Sequence, residues 1–216
     1  MEKLVTDLFC NFLSLSWRFP LERSCVTVYV RSDNSLMPEI ETERLRLRMF
    51  RPDDLDDLAR LFSDSDVLRY VGDGKPVNRE ESDKALKSII EHWTTHGFGR
   101  WAVIDKNTQE FVGFGGLRSL LGTPEVVYHL ASAHWGKGLA TELTRASLRF
   151  GFETHQFERI VAITKPPNAG SIHVMEKIGM HYEKRARYYD MDVVQYEIRR
   201  EEFNWDDSVY VLKQET

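Results

Sequence analysis

The sequence predicts an α+β domain: a mixed, mostly antiparallel central sheet of about seven strands with one parallel pairing, flanked by about four helices. Three observations predict it. Short alternating or β-branched runs recur with turn punctuation between them, as where Lys106-Asn107-Thr108-Gln109 separates two apolar strands. Longer stretches carry apolar residues at helical spacing behind recognisable entry signals. Between Glu125 and Gly179 the order is strand, glycine-led helix, strand, short helix, and a helix crossing between neighbouring strands leaves them parallel.

Along the chain, residues 1–36 stand apart as an N-terminal extension to a domain expected over 37–216. Leu4, Leu8, Phe12 and Leu15 fall at helical spacing there, and Cys25 to Val30 reads as a strand. Glu2, Asp7 and Asn11 interrupt the apolar run and no small-residue cleavage site follows, so a secretory signal is not expected, and no stretch approaches the ~18 consecutive apolar residues of a membrane span. Leu45 and Leu47 alternate with arginines as in one half-exposed strand over Glu41 to Arg48. Pro52-Asp53-Asp54 then opens a helix with Leu55, Leu58 and Leu61, its acids at the positive end. Asn78 followed by Glu81 is a capping box for a helix through about Thr95. Strands follow at Gly99 to Asp105, Phe111 to Leu120 and Glu125 to Leu130, then at Arg159 to Thr164. A last hairpin runs through Met180 to Tyr188 and Asp192 to Arg199.

Two segments carry the chemistry. In His134-Trp135-Gly136-Lys137-Gly138-Leu139-Ala140-Thr141-Glu142, two glycines bracket a lysine ahead of a helix. A helix N-terminus exposes unpaired N–H groups and about half a positive charge, and glycines let a pyrophosphate approach the backbone. Farther on, Asn168 to Met180 reads as a short helix opened by Asn168 or Ser171 and closed by Gly179.

Together these residues resemble the GNAT acyl-CoA N-acyltransferase superfamily, and within it the Rim-type branch of ribosomal-protein N-terminal acetyltransferases. The resemblance spans about Ile40 to Trp205. Gly138, Leu139 and Ala140 match the end of the family's pyrophosphate motif, and Trp135 replaces its usual Gln or Arg in the Trp-Gly-Lys-Gly form of the branch. Asn168, Ser171, Glu176, Lys177 and Gly179 fit the second motif in register. Many relatives carry a tyrosine seven residues after that asparagine, as acid toward the departing thiol; here the position is Met175. Met37 to Leu45 also looks like a natural start for this family.

The resemblance implies acetyl transfer from acetyl-CoA to a primary amine by direct attack in a ternary complex. It implies a parallel pair that splays, with the strand ending at Leu130 offering a backbone N–H to the thioester carbonyl. The cofactor-binding residues it implies are Leu130, Trp135, Gly136, Lys137, Gly138, Leu139, Ala140, Thr141, Asn168 and Ser171, with no metal. Ser171 is the candidate hydrogen-bond donor to the leaving sulfur and Glu125 the candidate base, acting through water. Tyr70, Trp93 and Phe98 are candidate acceptor-pocket residues. A non-catalytic acyl-CoA sensor using the same cradle is the alternative.

Composition bounds the partners. With 216 residues, 42% of them hydrophobic, the chain can bury one sizeable core, and a net charge of −5 without a long Lys/Arg block disfavours nucleic acid as main partner. Neither is a membrane partner expected. Cys10 and Cys25 both lie in the extension and read as reduced cytoplasmic thiols. The expected assembly is a monomer or homodimer. Freeing an α-amine of pKa ~8 at pH 7 costs about 1.4 kcal/mol, against about 4.6 for a lysine of pKa ~10.4. A protein or peptide α-amine, or a small amine, is therefore the expected acceptor. His92 and His96 are four apart on a helix but lack a metalloprotease glutamate, and read as solvated histidines.

Overall fold

Thr42 divides the first expected strand in two. Its N–H donates to the Leu45 carbonyl at 2.9 Å and its hydroxyl accepts from the Leu45 N–H at 3.1 Å, so the backbone turns where alternation alone reads straight on. The computed structural model, which describes residues 38–214, therefore begins with a hairpin of β1 (Pro38–Glu41) and β2 (Leu45–Arg48), with Ile40 opposite Leu47. The expected extension, residues 1–36, lies outside the described residues.

The strands that follow are β3 (Arg100–Asp105), β4 (Phe111–Leu120), β5 (Thr123–Leu130), β6 (Arg159–Thr164), β7 (His181–Tyr188), β8 (Met191–Arg199) and β9 (Val211–Gln214). They form one nine-stranded sheet in the order β7-β8-β6-β5-β4-β3-β2-β1-β9. Nine replaces the expected seven because the Thr42 turn splits one strand and because β9 adds to β1, a pairing no local pattern announces. The β5–β6 pair is parallel and the other seven are antiparallel.

The helices are α1 (Leu55–Ser63), α2 (Ser65–Leu68), α3 (Arg79–His96), α4 (Leu139–Glu153) and α5 (Ala169–Lys177). The addition to the expected four is α2, a single turn held by the Asp64 side chain accepting from the Asp66 N–H at 2.9 Å. At α3 the capping box forms as read, with Asn78 and Glu81 bonded reciprocally.

Side chains of a strand alternate between faces, which sorts the core. Val126 and Leu130 of β5 join Leu139, Leu143 and Ala146 of α4 in one buried cluster. Glu125, Val127 and His129 take the opposite face, where His129 stacks on Phe114 and Phe114 packs with residues of α1 and α3. Helix α4 thus covers one face of β5, and the charged residues of β5 lie on the other.

Candidate active site

After β5 a single 3-10 turn, Ser132–His134, leads into the glycine segment. Gly136 and Gly138 adopt φ of +73° and +78°, the left-handed region that side-chain-bearing residues avoid, and Gly138 caps α4. The first helical bond runs from the Glu142 N–H to the Gly138 carbonyl at 3.1 Å. The six amides from Gly136 to Thr141 donate to no other group among the described residues. A Cβ on Gly136 would meet nothing within 4 Å, and one on Gly138 only Arg44 Nη2 at 3.5 Å, so the space beside both glycines is open. Six free donors at a helix N-terminus, with room beside the glycines, suit a pyrophosphate. The Trp135 indole donates to the Leu130 carbonyl at 2.7 Å and so ties the end of β5 to the cradle.

Beside the cradle lies a cleft of about 420 Å³ lined by Arg44, Lys137, Arg145, Arg149 and Lys177 among others. Arg145 pairs with Asp206 and Arg149 with Glu153; among the described residues Lys137 and Lys177 have no ion-pair partner. The cleft keeps uncommitted positive charge next to the free amides.

On the other bank of the site stands the start of α5. Asn168 caps it, accepting from the Ser171 N–H at 3.2 Å while its amide donates to Thr164 Oγ1 at 3.0 Å. Between the banks, β5 and β6 share one pairing, Glu125 with Val161, and part beyond it. Ser171 Oγ is 2.8 Å from the Tyr128 hydroxyl of β5, so a serine on α5 and a tyrosine on β5 meet across the gap.

Glu125 is 1% exposed, and both its oxygens accept from Arg118, at 2.6 and 3.1 Å. Burial pushes its pKa up, and the ion pair with Arg118 opposes the shift. His129, on the same face, is held down to about 4, first by burial and then by Arg118 and Arg100; its Nδ1 is sealed from solvent without a partner. It is a neutral imidazole at physiological pH.

Comparison with known proteins decides the family. The model described as "Acetyltransferase (GNAT) domain" matches residues 44–181. The uncharacterized protein YkkB of Bacillus subtilis (strain 168) is 34% identical over 167 residues, which are 74% of this chain and 94% of YkkB. The chain belongs to the GNAT acetyltransferase family. A similar relative, the uncharacterized N-acetyltransferase p20 of Bacillus licheniformis, is 27% identical over 77% of this chain and 99% of its own. Among solved structures, an acetyltransferase (GNAT family) from Bacillus anthracis superposes with a TM-score of 0.67 at 28% identity, covering 76% of this chain and 99% of that one. This protein is an N-acetyltransferase, as the two motifs imply, and none of its described helices is long and apolar enough to cross a membrane.

The acetyltransferase places the remaining sequence candidates unequally. Trp93 is 2% exposed and packs edge-on against Trp101, its indole donating to the Arg100 carbonyl at 3.0 Å. Phe98 is buried among His92, His155 and Phe157. Both belong to the core, whereas Tyr70 is half-buried at the end of α2. The stretch from Asp64 to Gly72, which carries Tyr70, reaches both banks of the site. Lys165, after β6, donates to the Gly72 carbonyl at 2.7 Å, and Ser132, after β5, donates to Asp64 at 2.7 Å. His92 is not solvated: its Nε2 accepts from the Ser119 N–H at 3.2 Å, which leaves Nδ1 to donate to the Phe98 carbonyl at 2.8 Å.

Sequence reasoning missed the strut beneath the cradle. Glu142, in the first turn of α4, accepts from the Thr42 hydroxyl at 2.6 Å, the Arg44 N–H at 2.8 Å and Arg44 Nε at 2.6 Å, and Arg44 Nη1 reaches the Lys137 carbonyl at 2.7 Å. The β1–β2 turn therefore clamps the glycine loop. The partners are 98 to 100 residues apart, and no local spacing signals them. Glu142→Ala is expected to cost about 2 kcal/mol, the scale of charged hydrogen bonds lost from a half-buried site. A thermal melt should fall by roughly 4–8 °C for a domain of this size, with weaker CoA binding alongside; an unchanged melt would remove the strut.

Proposed function

We propose that this N-acetyltransferase moves an acetyl group from acetyl-CoA to a primary amine, either the α-amine of a protein or peptide or a small amine. The single observation carrying the reading is the cradle of six free amides beside a parallel strand pair that parts after one pairing, with Ser171 at the gap. Acetyl-CoA supplies the thioester whose carbonyl carbon the amine attacks and whose sulfur departs. In this reading the amides of Gly136 to Thr141 hold the pyrophosphate, Lys137 adds charge to it, and Trp135 keeps the cradle in register with Leu130. A Leu130 N–H at the parting strands polarises the carbonyl. Asn168 fixes the first turn of α5 so that Ser171 faces the sulfur.

The proton and electron accounts close with side chains present. The amine nitrogen forms the new C–N bond, the C–S bond breaks with its electron pair on sulfur, and Ser171 donates a hydrogen bond to the developing thiolate. The surplus ammonium proton goes through water to Glu125, whose burial raises its proton affinity. The stretch from Asp64 to Gly72, tied to one bank through Asp64 and to the other through Gly72, borders the acceptor's path. An α-amine is favoured over lysine because a base already bonded to Arg118 is suited to the smaller deprotonation cost, and the Rim-type form of both motifs supports the same class.

Thiol release from acetyl-CoA with a panel of peptides and amines tests the reading. Free α-amines should be acetylated well ahead of lysine side chains in N-blocked peptides. Ser171→Ala should lower kcat by ~10-fold with CoA affinity unchanged, because a bond to the thiolate is worth most in the transition state. Loss of about 1 kcal/mol of stability with full turnover would reduce Ser171 to a helix-capping role.

A further inference from the structure

We propose that Tyr128 is a positioning residue for the reaction: its hydroxyl holds Ser171 Oγ from across the strand gap and frees the serine proton for the leaving sulfur. The inference rests on the reading of Ser171 given above. Tyr128 belongs to β5 and Ser171 to α5, 43 residues later, and the two strands leading to them share a single pairing. The Tyr128 oxygen lies 2.8 Å from Ser171 Oγ and 3.1 Å from the Ser171 carbonyl oxygen.

These distances allow two hydrogen-bond arrangements without moving a heavy atom. In the first, Ser171 donates to the tyrosine oxygen and Tyr128 donates to the Ser171 carbonyl. In the second, Tyr128 donates to Ser171 Oγ and the serine proton is free to point elsewhere. Each hydroxyl has one proton and two lone pairs, so both arrangements are chemically legal. Among the described residues Ser171 Oγ has no partner but Tyr128. An acceptor entering the gap therefore selects the second arrangement.

The step balances. As the C–S bond breaks, its electron pair settles on sulfur; the serine hydrogen bonds to that sulfur and the tyrosine hydrogen bonds to the serine oxygen. No proton leaves the tyrosine, whose hydroxyl burial pushes up to about 12, so at physiological pH it is in the form that can donate. The residue thus makes up for a position on α5 that offers no hydroxyl: Met175 is fully buried in the core.

A double-mutant cycle on the full chain tests the proposal, with kcat from thiol release and CoA affinity by titration calorimetry. Tyr128→Phe should lower kcat roughly tenfold while leaving CoA affinity, and hence folding, within twofold. In a Ser171→Ala background the same change should have no further effect, because the tyrosine acts through the serine. A merely structural tyrosine would move affinity and melting temperature instead, and its effect would add to that of Ser171→Ala. Full turnover in Tyr128→Phe, or additive losses, overturns the inference. Full turnover in Ser171→Ala overturns the underlying reading of the serine, and the two failures are thereby distinct.

Discussion

Gly138→Val is expected to weaken CoA binding by roughly 100-fold, equivalent to about 2.8 kcal/mol, in a chain that still folds. Two causes act together. Gly138 has φ of +78°, and a left-handed conformation costs an L-residue ~1–2 kcal/mol, more when β-branched. The valine relieves that strain by turning the backbone, which re-aims the amides of Leu139, Ala140 and Thr141. Its methyl groups also enter the open space beside the glycine and press on Arg44, whose Nη2 is already 3.5 Å from the Cβ position. The loss of two charge-assisted hydrogen bonds at ~1.5 kcal/mol each accounts for the magnitude. Gly138→Ala, with less bulk, should fall between wild type and valine. Calorimetric titration with CoA checks both; wild-type affinity in a folded Gly138→Val chain would remove the cradle from this site.

Acidification should destabilise the protein well before most carboxylates titrate. His129 has a folded pKa of about 4 against 6.5 unfolded, so between these values the unfolded chain binds the proton more readily. Its contribution is fully present above pH 6.5, is lost as pH falls toward 4 and is constant below, a change of about 3 kcal/mol. The charge arrangement explains the direction: a protonated imidazole would be buried beside Arg118 and Arg100, with Glu125 already paired to Arg118. His92 and His155 are also lowered by burial and act in the same sense. Glu125, whose pKa is raised, acts in the opposite one. Urea unfolding at pH 7 and pH 4 in wild type and His129→Phe isolates the histidine. The difference in stability between the two proteins should change by about 3 kcal/mol over that range; parallel curves would mean that His129 is protonated in the native state.

What was legible in the sequence was local. The glycines of the cradle, the Asn168 cap with Ser171 and the Asn78–Glu81 box declare themselves within a few residues, since each works through its neighbours' backbone. The contacts that complete the site are not local. Tyr128 reads only as one alternating residue of a strand until α5 brings Ser171 to it, and Glu142 reads as an acid in a first helical turn until Thr42 and Arg44 arrive from 98 to 100 residues away. The Thr42 turn escaped notice because alternation at Leu45 and Leu47 continues past a break made by one hydroxyl. Trp93 and Phe98 illustrate a different limit: aromatics near the end of an amphipathic helix fit a core as well as a pocket, and here Trp101 and Phe157 claim them.

The long reach of the Glu142 strut also bears on the order in which the molecule assembles. Closing a loop of about a hundred residues is entropically dearer than forming a hairpin, so β3, β4 and β5 can zip together through short connections before Thr42 and Arg44 find α4. Contacts made after the rate-limiting step govern unfolding more than folding. Weakening the strut should therefore leave the refolding rate nearly unchanged and hasten the breathing of the glycine loop, making that end of α4 the first part to open and the last to set.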